Sequence, residues 1–204
     1  MKKFLIIQIL MLIQFSLCAE GTEVHDDRIT FGAEWNYIAS VHRGIHYNFY
    51  AEEGYRVNLN HSSFGYFSNG EISLFCGYDL SPDWNISLYA GYTGIYGLSK
   101  AIPISLRITK HYKRNGKGDR WFSYIDGGSG ICLKREPQAI AVGKIGAGYR
   151  IALSKETSLD LVAAYRISLT HPTVTFDGYE VPSAKINRNN AYVSGISLGI
   201  SVSF

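Results

Sequence analysis

The sequence predicts an all-β fold, a transmembrane antiparallel up-and-down β-barrel of eight strands. Two observations predict it. Long segments alternate apolar with small or polar residues at period two, and no stretch after residue 19 is apolar enough to cross a bilayer as a helix. Composition agrees: 15 Tyr and 21 Gly against five Pro in 204 residues suit strands better than helices.

The first residues stand apart from that fold. Met1-Lys2-Lys3 precedes an apolar run from Phe4 to Phe15 that holds Gln8 and Gln14, and Ser16-Leu17-Cys18-Ala19 offers cleavage after Cys18 or Ala19. A charged start, a short apolar stretch and a small-residue exit make a secretory signal. The domains are therefore residues 1–19, a signal peptide, and 20–204, the barrel, which is 204 − 19 = 185 residues. Cys18 is also a lipidation candidate, although Leu17 is larger than lipoprotein signals want. Losing Lys2 and Lys3 takes the net charge from +3 to +1, which gives no support to a nucleic-acid partner.

Strand one carries Ile29, Phe31, Ala33, Trp35, Tyr37, Ala39 and Val41 on one face, against Thr30, Glu34, Asn36 and Ser40. Strand two sets Ile72, Leu74, Cys76, Tyr78 and Leu80 against Glu71, Ser73 and Asp79. Strand three sets Ile86, Leu88, Ala90, Tyr92 and Tyr96 against Ser87, Gly91 and Thr93, and strand four Ile104, Leu106 and Ile108 against Ser105, Arg107 and Thr109. Strand five, Trp121 to Leu133, is interrupted by Gly127, Gly128 and Gly130, so its facing is open. Strand six opposes Ile145, Ala147, Tyr149, Ile151 and Leu153 to Lys144, Gly146, Gly148 and Arg150. Strand seven opposes Leu159, Leu161, Ala163, Tyr165, Ile167 and Leu169 to Asp160, Arg166, Ser168 and Thr170. The last strand is the clearest: Tyr192, Ser194, Ile196, Leu198, Ile200, Val202 and Phe204 alternate with Val193, Gly195, Ser197, Gly199, Ser201 and Ser203. Its length exceeds the usual globular strand and meets the ~9–11 tilted residues that cross a bilayer.

Turns alternate in length, as an up-and-down barrel requires. Residues 81–85 and 154–157 are short, 113–120 is a somewhat longer turn on the same side, and 42–68 and 171–190 on the opposite side are long. An even strand count puts both termini on the side of the short turns. Within 42–68 the odd apolar residues run on through Ile45, Tyr47 and Phe49, so strand one can project further. A hairpin turning at Glu52-Glu53-Gly54 would make ten strands.

The faces can point either way, and side-chain size decides. The polar faces are too rich in Gly, Ser, Thr and charge to form a dry core, so the apolar faces meet lipid. A lumen network then holds Glu34, Glu71, Asp79 and Asp160 with Arg107, Lys144, Arg150 and Arg166, four charges of each sign that can pair. Eight strands leave an interior that side chains fill, which argues against a wide channel. The competing reading, a soluble periplasmic ligand-binding barrel, requires every face inverted. Cys76 and Cys132 fall on strands two and five, which are not neighbours, so free thiols are favoured over a disulfide.

The signal peptide, the strand count and the final strand ending in Phe204 together resemble the small outer-membrane β-barrel superfamily of Gram-negative bacteria. The resemblance implies the cell outer membrane as location, a monomer surrounded by outer-membrane lipid, and Tyr192 to Phe204 as the signal read by the barrel-assembly machinery. It does not fix an activity. One family of the superfamily, the lipid A deacylases, uses a His followed two residues on by Ser, with a Glu near the last strands. The comparable residues are His171, Thr173 and Glu180, with Thr where that family has Ser.

Two functions follow as expectations. The favoured one is a non-enzymatic barrel with an envelope-structural or surface-interaction role. Its aromatic surface of Tyr47, Phe49, Tyr50, Tyr55, Phe64 and Tyr66 would meet an extracellular protein or glycan. The alternative is a lipid-modifying hydrolase carried by His171. No cofactor is expected, nor a metal, because the four-residue spacing of His42 and His46 suits a helix rather than a strand. Lys113, Arg114, Lys117 and Arg120, around Gly116 and Gly118, read as a solvated periplasmic turn.

Overall fold

A computed structural model describes residues 28–95, 99–112, 118–133, 138–154 and 156–204. The expected signal peptide, Cys18, Tyr96, Lys113, Arg114, Gly116 and Lys117 lie outside these. Strands β1 (Ile29–Tyr50), β2 (Arg56–Ser81), β3 (Trp84–Gly94), β4 (Lys100–His111), β5 (Arg120–Cys132), β6 (Gln138–Ala152) and β7 (Ser158–Thr170) follow one another around a ring. A small hairpin, β8 (Thr175–Phe176) and β9 (Tyr179–Glu180), comes next, and β10 (Ile186–Ser203) closes the barrel between β7 and β1. Closure is made by the first and last strands. Phe31 N–H donates to the Phe204 carbonyl at 3.0 Å, and Phe204 N–H donates back to the Phe31 carbonyl at 2.8 Å. Pairing around the whole ring leaves no open edge, the condition for crossing lipid with strands.

The barrel has eight staves, and its facing is the one that puts apolar residues outside. Phe31, Trp35, Leu74, Leu88, Ile104, Ile145, Leu161 and Leu198 are exposed, while Glu34, Glu71, Arg107, Lys144, Asp160 and Arg166 are buried. This excludes a soluble barrel with its faces inverted. Strand β5, open in the sequence, turns Phe122, Tyr124 and Asp126 inward and Trp121 and Ile125 outward. At the end with the short turns, Trp84, Tyr112 and Trp121 face outward, with Lys110 Nζ lying 5.3 Å from the Trp84 ring centroid. At the other end stand Tyr37, Tyr66 and Tyr92, with Lys100 Nζ 5.7 Å from the Tyr92 ring. Aromatics bracketing an apolar band, with lysine stems reaching past them, are the interfacial belts of a membrane barrel. From Trp84 to Tyr92 is eight steps along β3, about 26 Å at ~3.3 Å per residue and roughly 20 Å along the normal at ~40° tilt.

Residues 42–68, expected as a long loop, are strand throughout except for the turn at 51–55. The additional hairpin does turn at Glu52-Glu53-Gly54, but as the continuation of β1 and β2 rather than as two more staves, so ten strands do not line the barrel. Val41 is a β-bulge: Ser40 pairs with Gly195 and His42 with Ser194, leaving Val41 unopposed. One extra residue inverts the phase of everything after it.

The two described thiols are free, Cys76 exposed on the apolar exterior and Cys132 buried in the lumen. Maleimide adds to a thiolate, and Cys76 pairs with Leu88 in the middle of the lipid-facing band, away from water. Neither cysteine should therefore be labelled in lipid vesicles and both should be after unfolding, as mass spectrometry of the labelled peptides reads.

Candidate functional site

Register builds the lumen network. Arg107 lies opposite Asp126, Asp126 opposite Lys144, and Lys144 opposite Arg166, so four charges form one row across β4 to β7. Glu34 and Glu71 face them from β1 and β2 across the bore. Arg107 is held bidentately by Glu34, Nη1 to Oε2 at 2.5 Å and Nη2 to Oε1 at 2.9 Å, and reaches Asp126 Oδ2 from Nε and Nη2 at 3.2 Å. Nη1 also donates to Tyr89 OH at 2.9 Å. The guanidinium is sandwiched between the Tyr89 and Tyr124 rings, 4.0 and 4.2 Å from their centroids. A planar, forked cation suits this place and an ammonium would not, because only guanidinium stacks and bridges two carboxylates at once. Glu71 spans the bore to pair with Lys144 and with Arg166, whose Nη2 is 3.5 Å away.

The layers on either side differ. Toward the short turns Arg150 and Asp160 form a bidentate pair at 2.8 and 2.7 Å, and Asn85 donates to Asp79 at 2.7 Å. Toward the long hairpin, Ile95, Ala101, Cys132, Ile140, Val142 and Val193 make an apolar layer. All eight expected lumen charges point inward, joined by Asp126, Tyr89 and Tyr124, which sequence reasoning missed. The signal for Asp126 was its even-numbered place beside Phe122 and Tyr124. Two cavities of about 20 and 10 Å³ lie in this interior, each with room for about one water. The described lumen is filled by a charged plug under an apolar seal.

Outside the barrel the phase inversion at Val41 has its consequence. Ile45, Tyr47 and Phe49, on the odd positions that met lipid below the bulge, now turn over the barrel axis. Tyr47 and Phe49 pack with Val174 and Val181, and with Val57, Phe176, Tyr179 and Ile186, in a second small core. Phe49 is 0% exposed. Tyr47 and Phe49, expected in a binding surface, are thus corrected to core residues. Partial burial pushes the Tyr47 phenol above its ordinary pKa, with Arg43 opposing. Tyr50, Tyr55, Phe64 and Tyr66 are exposed as expected, Phe64 at 85%. The partner of that core is the 171–185 connection, folded back by the β8–β9 hairpin. Its tight turn is Asp177-Gly178, with φ of 47° and 83°, the dipeptide such a turn favours. Glu52 N–H donates to Tyr179 OH at 3.1 Å and ties the hairpin tip to it. Phe49→Ala is expected to remove about 3–5 kcal/mol from this core. The loss should fall on the projecting part alone: limited proteolysis would cut the hairpin while the barrel persists.

His171, Thr173 and Glu180 are all exposed, and among the described residues no hydrogen bond joins them. His171 follows Thr170, the last residue of β7, whose partner is Ala191. Phe204 sits on the closing seam and Tyr192 on the outer rim of β10.

No protein-family model and no curated protein sequence matches the chain. Among solved structures it is similar to Neisserial surface protein A, at 11% identity over 86% of this chain and 95% of that one, with a TM-score of 0.45. Outer membrane protein OprG from Pseudomonas aeruginosa is 10% identical over 86% and 95%, with a TM-score of 0.44. Ail, the attachment invasion locus protein of Yersinia pestis, is 12% identical over 87% and 99%, with a TM-score of 0.38.

Proposed function

We propose that this chain is a monomeric, non-conducting barrel of the bacterial outer membrane whose role is surface interaction through its projecting hairpin. One observation carries the reading: β1 and β2 run 22 and 26 residues, far beyond the ~9–11 that cross the bilayer, and a private core stiffens the excess. A hairpin meant only to reverse the chain has no need of that core. A rigid platform loses little entropy on binding, and exposed Tyr50 and Tyr55 on the hairpin support contact with an extracellular protein or glycan. The plug and its apolar seal argue against transport as the task. Residues 44–62 can be replaced by Asn-Gly, because Arg43 and Ser63 are paired. Cells displaying the shortened chain should lose capture of extracellular glycans or proteins that the full chain retains. Equal capture by both, with the shortened barrel still folded, would refute the proposal.

A further inference from the structure

The outward side of the same extension carries a different chemistry, and we propose that it docks the phosphorylated headgroup of a glycolipid in the surrounding leaflet. This rests on the outer-membrane reading above. Strand β10 keeps its register past the rim, so its lipid-facing row of Phe204, Ile200 and Leu198 continues through Tyr192 to Asn190 and Arg188. Past the bulge, β1 presents His42, Gly44 and His46 on that same side, since Gly44 pairs with Tyr192 and His46 with Asn190. Strand β2 adds Phe64 and Asn60 opposite His42 and His46.

These residues form a floor and a rim. Gly44 has no side chain, and the Tyr192 ring occupies the place its Cβ would take. His42 packs against that ring at 5.2 Å between centroids and against Phe64 at 4.7 Å. Above the aromatic floor, His46 Nδ1 lies 3.4 Å from Arg188 Nη1, with exposed Asn60 and Asn190 beside them. Donors predominate, and the three rows from Arg56, Tyr50 and Arg188 down to the rim hold no carboxylate on this side; Glu52 and Glu53 sit beyond, at the hairpin tip. The charge therefore complements phosphate, the amides suit sugar hydroxyls, and the aromatic floor suits the sugar ring and the start of an acyl chain. Height chooses the source. The patch begins where the lipid-facing row ends and looks sideways into the headgroup layer, where a lipid phosphate stands.

The test uses the folded full-length barrel in phosphatidylcholine vesicles containing either a bisphosphorylated lipid A or its dephosphorylated form, with retained lipid read by native mass spectrometry after extraction. The wild type should retain the phosphorylated lipid over the dephosphorylated one. The exposed-site variants Arg188→Gln and Arg188→Gln/His46→Gln should lose that retention by roughly tenfold or more, the scale of one charge-assisted hydrogen bond. Equal retention by wild type and variants, or by the two lipids, overturns the inference. So does a preference for free dextran sulfate with no lipid retained. Failure of the wild type to enter vesicles as a heat-modifiable barrel would instead refute the outer-membrane reading beneath it.

Discussion

Arg107→Met is expected to destabilise the barrel by about 3–5 kcal/mol, because it leaves two buried carboxylates facing each other without their cation. Glu34 is 1% exposed and Asp126 2%, so neither can recover its hydration. Tyr89 and Tyr124 lose the guanidinium between them as well. Urea unfolding of the refolded barrel, followed by tryptophan fluorescence, measures the loss. A triple variant, Arg107→Met with Glu34→Gln and Asp126→Asn, removes all three charges and should recover most of the stability, since the penalty comes from unpaired charge rather than from the missing pair. If the single variant were as stable as wild type, the lumen would have to be wet enough to hydrate both carboxylates.

Leu88→Arg is expected to cost about 2–4 kcal/mol in a lipid bilayer, the value for a cation at the midplane of a barrel's lipid face. Leu88 is 54% exposed and midway between Trp84 and Tyr92 along β3. In a soluble protein such exposure would make the substitution nearly neutral. The same substitution at the rim, Tyr92→Arg, should cost no more than about 1 kcal/mol, because the charge reaches the headgroups. Folding titrations in vesicles of one lipid composition give both numbers. A penalty independent of depth would contradict the membrane-spanning belt.

Much of this fold was legible because period two is a strong code when one face must meet lipid. β10 shows it without interruption, and among the described residues the predicted outward rows of β1 to β4, β6 and β7 are the observed ones. Three features were not legible. The bulge at Val41 has no local signature in the sequence, yet it sends Tyr47 and Phe49 from the expected surface into a core. In β5, Gly127, Gly128 and Gly130 removed the alternation that would have pointed Asp126 inward, so the central row was one carboxylate short. The pairing of Arg107 with Glu34 was out of reach for another reason: the two are 73 residues apart and meet only once the ring is closed. Asp177-Gly178 is a readable turn signal, but its flanking strands, Thr175–Phe176 and Tyr179–Glu180, are too short to show alternation.

Membrane fractionation followed by electrophoresis with and without heating separates a closed lipid-spanning ring from a soluble barrel. The chain should sediment with the outer membrane and migrate faster unheated than boiled, because a closed hydrogen-bonded ring resists detergent. Recovery in the soluble periplasmic fraction, with one mobility under both conditions, would contradict an inside-out barrel.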